Sequence, residues 1–395
     1  MKEKIKQNKI FFLCFAVILI NSVTIILQRG IDGLINSNYY PLYALDYSIG
    51  FCSRILVGSV ISLFTDRVNL HALSIALMIV YFIVCVLVCA AINKSLKNQS
   101  NNLVFVFAAV LLVSPYFTTL VRYFGTMDVL WLLCMVLSFM LIDKKYARWL
   151  IPFICVVGSA LHNAFVLAYL PAIAVFVLYK YAEKPDKKSL AFVIVTAVFA
   201  AASVIYFIIF GDDTIKITQE QLLDTVNQRL GGVNFNKTYI IFSLFNDDPR
   251  IEQLDGFGEY VKFMLWYTAD RNDVLSNVGL YLYFIISTAI FAVPFYAVTV
   301  RMIKSAQKPL MKFVYACPFA YIPAVLISVL TSTDTDRFIN TFILSMLFTL
   351  LLYAASGNAD FKAIIDSFYE KIKGKKAISI IVTAMLALFV VSEVL

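Results

Sequence analysis

Charge is scarce in this chain of 395 residues: Asp, Glu, Lys and Arg together make up 15% of it, and histidine occurs twice. Soluble domains carry about a quarter charged residues, so a freely dissolved globular protein is excluded. Six of the seven cysteines fall inside apolar runs and only Cys52 is loop-like, which leaves neither a disulfide framework nor a metal-ligand spacing. No G-x-x-x-x-G-K-[ST] phosphate cradle is present, which argues against an ATP-driven machine. Internal repeats and low-complexity tracts are also missing. The apolar stretches are continuous rather than alternating, and that excludes a transmembrane β-barrel.

Hydrophobic length is abundant. Apolar residues are 61% of the chain, and a helical span of the bilayer core needs about 20 of them in a row. Roughly ten such runs lie near 10–27, 70–92, 103–121, 128–142, 149–179, 189–210, 278–300, 313–330, 338–355 and 378–395. They predict an all-α, polytopic transmembrane helical bundle, with residues 1–395 forming a single integral membrane domain. The first run follows "MKEKIKQNK" and is not followed by a small-residue cleavage site, so it reads as a retained helix rather than a signal peptide.

The net charge of +8 reports topology, not nucleic-acid binding. Lys and Arg mark cytoplasmic loops. With the N-terminus inside and the over-long run 149–179 folded back on itself, 22 of the 33 basic residues fall inside. A single crossing by that run would move the clusters after Lys180 outside. The charge rule therefore predicts about eleven membrane segments, a cytoplasmic N-terminus and an outer C-terminus, in the plasma membrane. It also puts His162 and Asn163 at the tip of a hairpin. The arms of about 13 and 17 residues are short for a core about 30 Å thick, which leaves two short spans or a re-entrant pair.

Polar side chains gather on the outer face. The first outer loop, 28–69, holds an apolar pattern at Phe51, Ile55, Val60, Ile61 and Phe64, which predicts an interfacial helix. Asp46 precedes it, as a helix N-cap or as a functional acid, and Arg54 lies within it. "VRYFGTMDVLWLL" sets Arg122 and Asp128 around a tight turn; Asp128 is also favoured there by the helix dipole alone. "TSTDTDRFIN" carries Asp334, Asp336 and Arg337, a D-x-D spacing that either holds a divalent cation or caps a turn. His162 is either structural or catalytic. The long loop 211–276 offers an amphipathic helix in "ITQEQLLDTVNQRL" and aromatics in "YVKFMLWYTADRNDV". The short outer loops use Arg where the inner ones are nearly all Lys. Arg presents a planar fork suited to phosphate, so Arg54, Arg122 and Arg337 point to an anionic ligand.

The layout, with the pieces "DYSIGFCSRILVG", "FGTMDVLWLL" and "LHNAFVLAYLP", resembles the GT-C class of membrane glycosyltransferases. It is also similar to capsule and O-antigen repeat-unit polymerases. No tandem-tryptophan signature and no large soluble C-terminal domain follow, which argues against an oligosaccharyltransferase. The resemblance implies a polyprenyl-(pyro)phosphate-linked sugar donor, a glycan or lipid-linked acceptor, and cell-surface glycan assembly at the outer face. It carries the family's first-loop acid to Asp46, with Asp32 in reserve. One carboxylate base suffices when the leaving group is a phosphate, with arginines stabilising the departing charge. The competing class is a lipid-linked-sugar flippase or transporter, which would place ionisable residues along a central path.

Overall fold

The computed structural model describes residues 30–97 except Asp32, then Gln99, 101–245, Glu259, 274–331 and 335–376, with scattered positions between Phe12 and Leu27. Asp32, Asp334, most of 246–273 and the run 378–395 lie outside the described residues, and the run 10–27 is described only in part. The described chain is mostly helical, and among the described residues the one β feature is an isolated bridge between Phe124 and Thr126.

The helices are α1 (Leu56–Ser62), α2 (Leu70–Leu96), α3 (Leu103–Val113), α4 (Pro115–Arg122), α5 (Asp128–Leu141), α6 (Ile151–Leu161), α7 (Leu170–Glu183), α8 (Lys187–Ile205), α9 (Gln219–Arg229), α10 (Lys237–Phe245), α11 (Val274–Ser305), α12 (Pro309–Ala316), α13 (Tyr321–Thr331), α14 (Thr335–Ala355) and α15 (Ala359–Ile372). Six stretches of described helix are long and apolar enough to cross a membrane, and the shorter apolar helices α5 and α6 join them. Proline sets several boundaries. Pro115 opens α4 directly after Ser114, whose extended backbone (ψ 154°) ends α3, because proline suits the first helical turn and disfavours a helical residue before it. Asn69 starts α2 by accepting the Ala72 N–H at 3.1 Å, a standard side-chain cap.

Helix α14 is the axis of the bundle, almost wholly buried against α2, α4, α7, α11 and α13. Lysine and one acid define one end. Asp143, just past α5, pairs with Lys94 at 2.7 Å and with Lys180 at 2.9 Å. These bonds gather the C-terminal ends of α2, α5 and α7. The start of α15 joins them, since Asn358 donates to Tyr179 and Tyr315. The run 149–179 thus leaves from and returns to the same end. It is broken at His162, whose backbone is extended (φ −171°, ψ 136°). Gly158 permits the tight return, since a methyl there would strike the Phe165 ring.

The opposite end holds the loop 30–69, the hairpin tip and the described part of 211–245. Backbone bonds stitch these together: Lys216 N–H to Ile49 O at 2.9 Å, Val68 N–H to Arg229 O at 2.9 Å, and Arg54 N–H to Ala160 O at 3.0 Å. Helix α5 has 14 residues and α2 has 27; at 1.5 Å per residue these span about 21 and 40 Å. Both helices end beside Asp143, so the start of α5 and the hairpin tip are recessed well below the far end of α2.

Two expectations need correction. The helix expected from Phe51 begins at Leu56, because Arg54 adopts a left-handed backbone (φ 76°) that no regular helix accommodates. Its exposed apolar edge is Val60, continued by Leu63 and Phe64 beyond its end, while Ile55 is fully buried. Asp46 does not cap this helix, whose cap position is Ile55. The long loop contains the expected amphipathic helix as α9, and α11 begins at Val274, slightly earlier than the loop boundary at 276.

Candidate functional site

A cleft of about 1070 Å³ opens between the first loop and α9. Its lining mixes polar Asp46, Ser59, Ser62, Arg67 and Arg229 with apolar Leu56, Val60 and Leu63. Gly58 makes this geometry possible: a methyl there would collide with the Leu45 carbonyl oxygen, so glycine lets α1 press against the chain just ahead of Asp46. The Ser59 hydroxyl accepts the Tyr47 N–H at 2.9 Å and fixes the other flank.

Asp46 is held from two sides. Its Oδ1 accepts the Ser48 N–H at 2.9 Å and its Oδ2 accepts Arg229 Nη1–H at 2.8 Å. Arg229 is itself anchored, donating to the Asp66 and Thr65 carbonyls. Partial burial pushes the Asp46 carboxyl up, but Ser48, the Arg229 charge and Ser62 outweigh it and leave it below its ordinary range. The carboxylate is therefore ionised at neutral pH and faces a cleft. Arg67 stands exposed on the rim.

A second cluster lies deeper, where α5, α14 and the hairpin tip meet. Arg337 grips Asp128 with both arms, Nε–H to Oδ2 at 2.7 Å and Nη2–H to Oδ1 at 2.6 Å, and both residues are buried. Trp131, one turn along from Asp128, sets its ring edge-on to His162 at 5.2 Å. His162 Nδ1 accepts the Ala164 N–H at 3.1 Å. The charges of Arg54 and Arg337 lie close to the ring, and with Nδ1 occupied as an acceptor the ring proton sits on Nε2. The Tyr43 hydroxyl donates to Gly125 O at 2.8 Å.

The structure thus groups Arg54, Asp128, His162 and Arg337, while Asp46 sits in the separate cleft with Arg229. Arg54 Nη1–H donates to Ser243 O at 2.7 Å, bringing α10 to the cluster. Arg122 is exposed at the end of α4, and Asn163 is half-buried at the tip. Asp336 accepts from the Tyr123 hydroxyl at 3.2 Å and from the Arg337 N–H. With Asp334 outside the described residues, the D-x-D pair has no geometry to report. Among the described residues no group of three or more His, Cys, Asp or Glu is placed to hold a metal ion.

No family model matches this chain, and no curated protein or solved structure does.

Sequence reasoning missed Arg229, Trp131 and Tyr169. Arg229 closes the amphipathic helix of the long loop, at the place where a cation is favoured by the helix dipole. Trp131 is spaced i+3 from Asp128, and that spacing puts both on one helix face. Tyr169 gives no sequence signal beyond standing at the second bend of the broken run.

Proposed function

We propose that this protein is a membrane glycosyltransferase that moves a sugar from a polyprenyl-(pyro)phosphate donor to a glycan or lipid-linked acceptor, with Asp46 as the base. The observation that carries this reading is the cleft's mixed lining: a carboxylate and two arginines share it with Leu56 and the exposed Val60 and Leu63, next to exposed Phe64. A donor with a charged head and a hydrocarbon tail needs both kinds of surface at once. Arg229 orients Asp46, and Arg67 with Arg229 offsets the charge that develops on the departing phosphate. A carboxylate of depressed pKa is a weak base. It is sufficient here because the phosphate is a good leaving group, so the acceptor hydroxyl loses its proton late.

In this reading the lysine-rich end is cytoplasmic and the cleft faces outside, in an eleven-segment arrangement with the N-terminus in and the C-terminus out. One observation favours a second reading, a flippase or transporter of lipid-linked sugars: the buried Asp128–Arg337 pair within a helical bundle, since intramembrane ion pairs commonly line transport paths. Turnover separates the two. Purified protein in nanodiscs is given a polyprenyl-phosphate-linked hexose and a glycan acceptor, and release of polyprenyl phosphate is followed. Asp46→Asn is expected to lower the rate about 10²–10⁴-fold, the usual contribution of a general base, with normal folding. Wild-type turnover by Asp46→Asn would remove Asp46 as the base, and absence of release by the wild type with labelled lipid still moving between leaflets would favour transport.

A further inference from the structure

The Asp46–Arg229 pair accounts for two of the charges on the cleft lining and leaves two more, Asp66 and Arg67. Both are exposed, and neither side chain has a partner among the described residues. In the reaction proposed above Arg67 meets the phosphate, and Asp66 has no task. One guanidinium fixes where these groups stand. Arg229 donates Nη1–H to Asp46 Oδ2 at 2.8 Å and Nε–H to the Asp66 carbonyl at 3.3 Å, so a single planar group touches both residues. Gln228 precedes Arg229 on α9, stands one turn from Thr225 on the same helix face, and lines the same cleft. Its exposed amide has no side-chain partner among the described residues.

The hydrogen-bonding inventory states what a ligand must offer. The Thr225 hydroxyl donates to the Gln221 carbonyl at 2.8 Å, so toward the cleft it can only accept. A carboxylate also only accepts, and an amide both accepts and donates. Several acceptors spread along one cleft suit a ring bearing several hydroxyls, each of them a donor. A uronate brings further acceptors and a negative charge, which Asp66 opposes. A lone ammonium matches one acceptor and leaves the others without donors. The cleft volume of about 1070 Å³ is at the upper end for small-molecule sites, which leaves room for a sugar beside its phosphate. We infer that the cleft selects an uncharged sugar, with Asp66 and Gln228 as its specificity determinants. Asp66 accepts from hydroxyls and excludes uronic acids; Gln228 reads a hydroxyl as donor and acceptor together. This rests on the lipid-phosphate donor proposed above and adds the class of sugar that the donor carries.

The test titrates the full chain in nanodiscs, by calorimetry, with farnesyl phosphate alone and with its glucose, glucuronate and glucosamine conjugates. The glucose and glucuronate probes differ only at C6. The wild type is expected to bind the glucose probe about tenfold or more tighter than the glucuronate probe, since like charges set together are strongly disfavoured. Asp66→Asn keeps an accepting oxygen without the charge and should close most of that gap with glucose binding retained. Gln228→Leu should weaken the glucose probe about two- to tenfold, the scale of one neutral hydrogen bond, and leave farnesyl phosphate alone unchanged. Equal wild-type affinity for the glucose and glucuronate probes overturns the proposal and needs no variant. So does a gap that survives Asp66→Asn, a Gln228→Leu loss shared by farnesyl phosphate, tighter binding of the glucosamine probe, or no binding of any sugar probe. Selective binding without release of polyprenyl phosphate would keep the specificity and sink the transferase reading; release without preference would do the reverse.

Discussion

Replacing Asp128 by Leu removes the carboxylate that the buried Arg337 guanidinium grips with both arms. Two charge-assisted hydrogen bonds, at 2.7 and 2.6 Å, disappear together, and each is worth about 1.5–3 kcal/mol. Breaking a buried pair from one side generally costs about 3–5 kcal/mol, because the remaining charge is left without compensation. That is a large share of ordinary protein stability. Arg337→Met should cost a similar amount by stranding Asp128. The double variant removes both charges and fills the space with apolar atoms, so it should recover most of the loss. The assay is thermal unfolding in detergent, read by a thiol-reactive dye on the buried cysteines Cys85, Cys89, Cys134 and Cys155. Each single variant is expected to lower the midpoint by several degrees, with the double variant close to wild type. A wild-type midpoint for Asp128→Leu, or a double variant as unstable as the sum of the singles, would refute the claim that the two side chains hold each other.

Two further expectations concern topology and pH. In a background lacking native cysteines, Asn163→Cys should react with an impermeant thiol reagent from outside intact cells and Lys187→Cys should not; labelling of the latter inverts the proposed orientation. The Asp46 carboxyl lies below its ordinary range in the folded protein, so its pairing contributes stability above the unfolded carboxylate range, and that contribution fades as pH falls through the depressed folded value. Arg229→Gln should therefore shift the acid-side loss of thermal stability to higher pH, and coincident acid limbs for the two proteins would count against the pairing.

Much of the architecture was legible because it follows from hydrophobic length and charge placement. The doubling back of 149–179 was readable from lysines alone, since Lys144, Lys145 and Lys180–Lys188 require a shared end. The ion pairs of Asp143 with Lys94 and Lys180 are the physical form of that requirement. Single positions were harder. The apolar periodicity from Phe51 to Phe64 suggested one helix, but periodicity carries no information about φ, and the left-handed Arg54 cuts the helix short. Arg54, Arg122 and Arg337 looked alike as cations in outer loops. Their partners differ because partner choice is a tertiary matter: Arg337 meets a carboxylate 209 positions away in the chain, and Arg54 a carbonyl 189 away. Arg229 escaped notice for the same reason, its acid lying 183 residues earlier.

The enclosure of α14 has a consequence for how the protein is made. A helix surrounded by α2, α4, α7, α11 and α13 has little surface left for lipid, and all five of those neighbours are synthesised before it. During synthesis Asp128 emerges without its counter-charge and must stay so while some two hundred further residues follow. Arg337 reaches it only when α14 settles between helices already in place. Formation of that ion pair is then a late event in biogenesis. A nascent chain arrested before α14 would present Asp128 without the guanidinium that grips it in the finished protein.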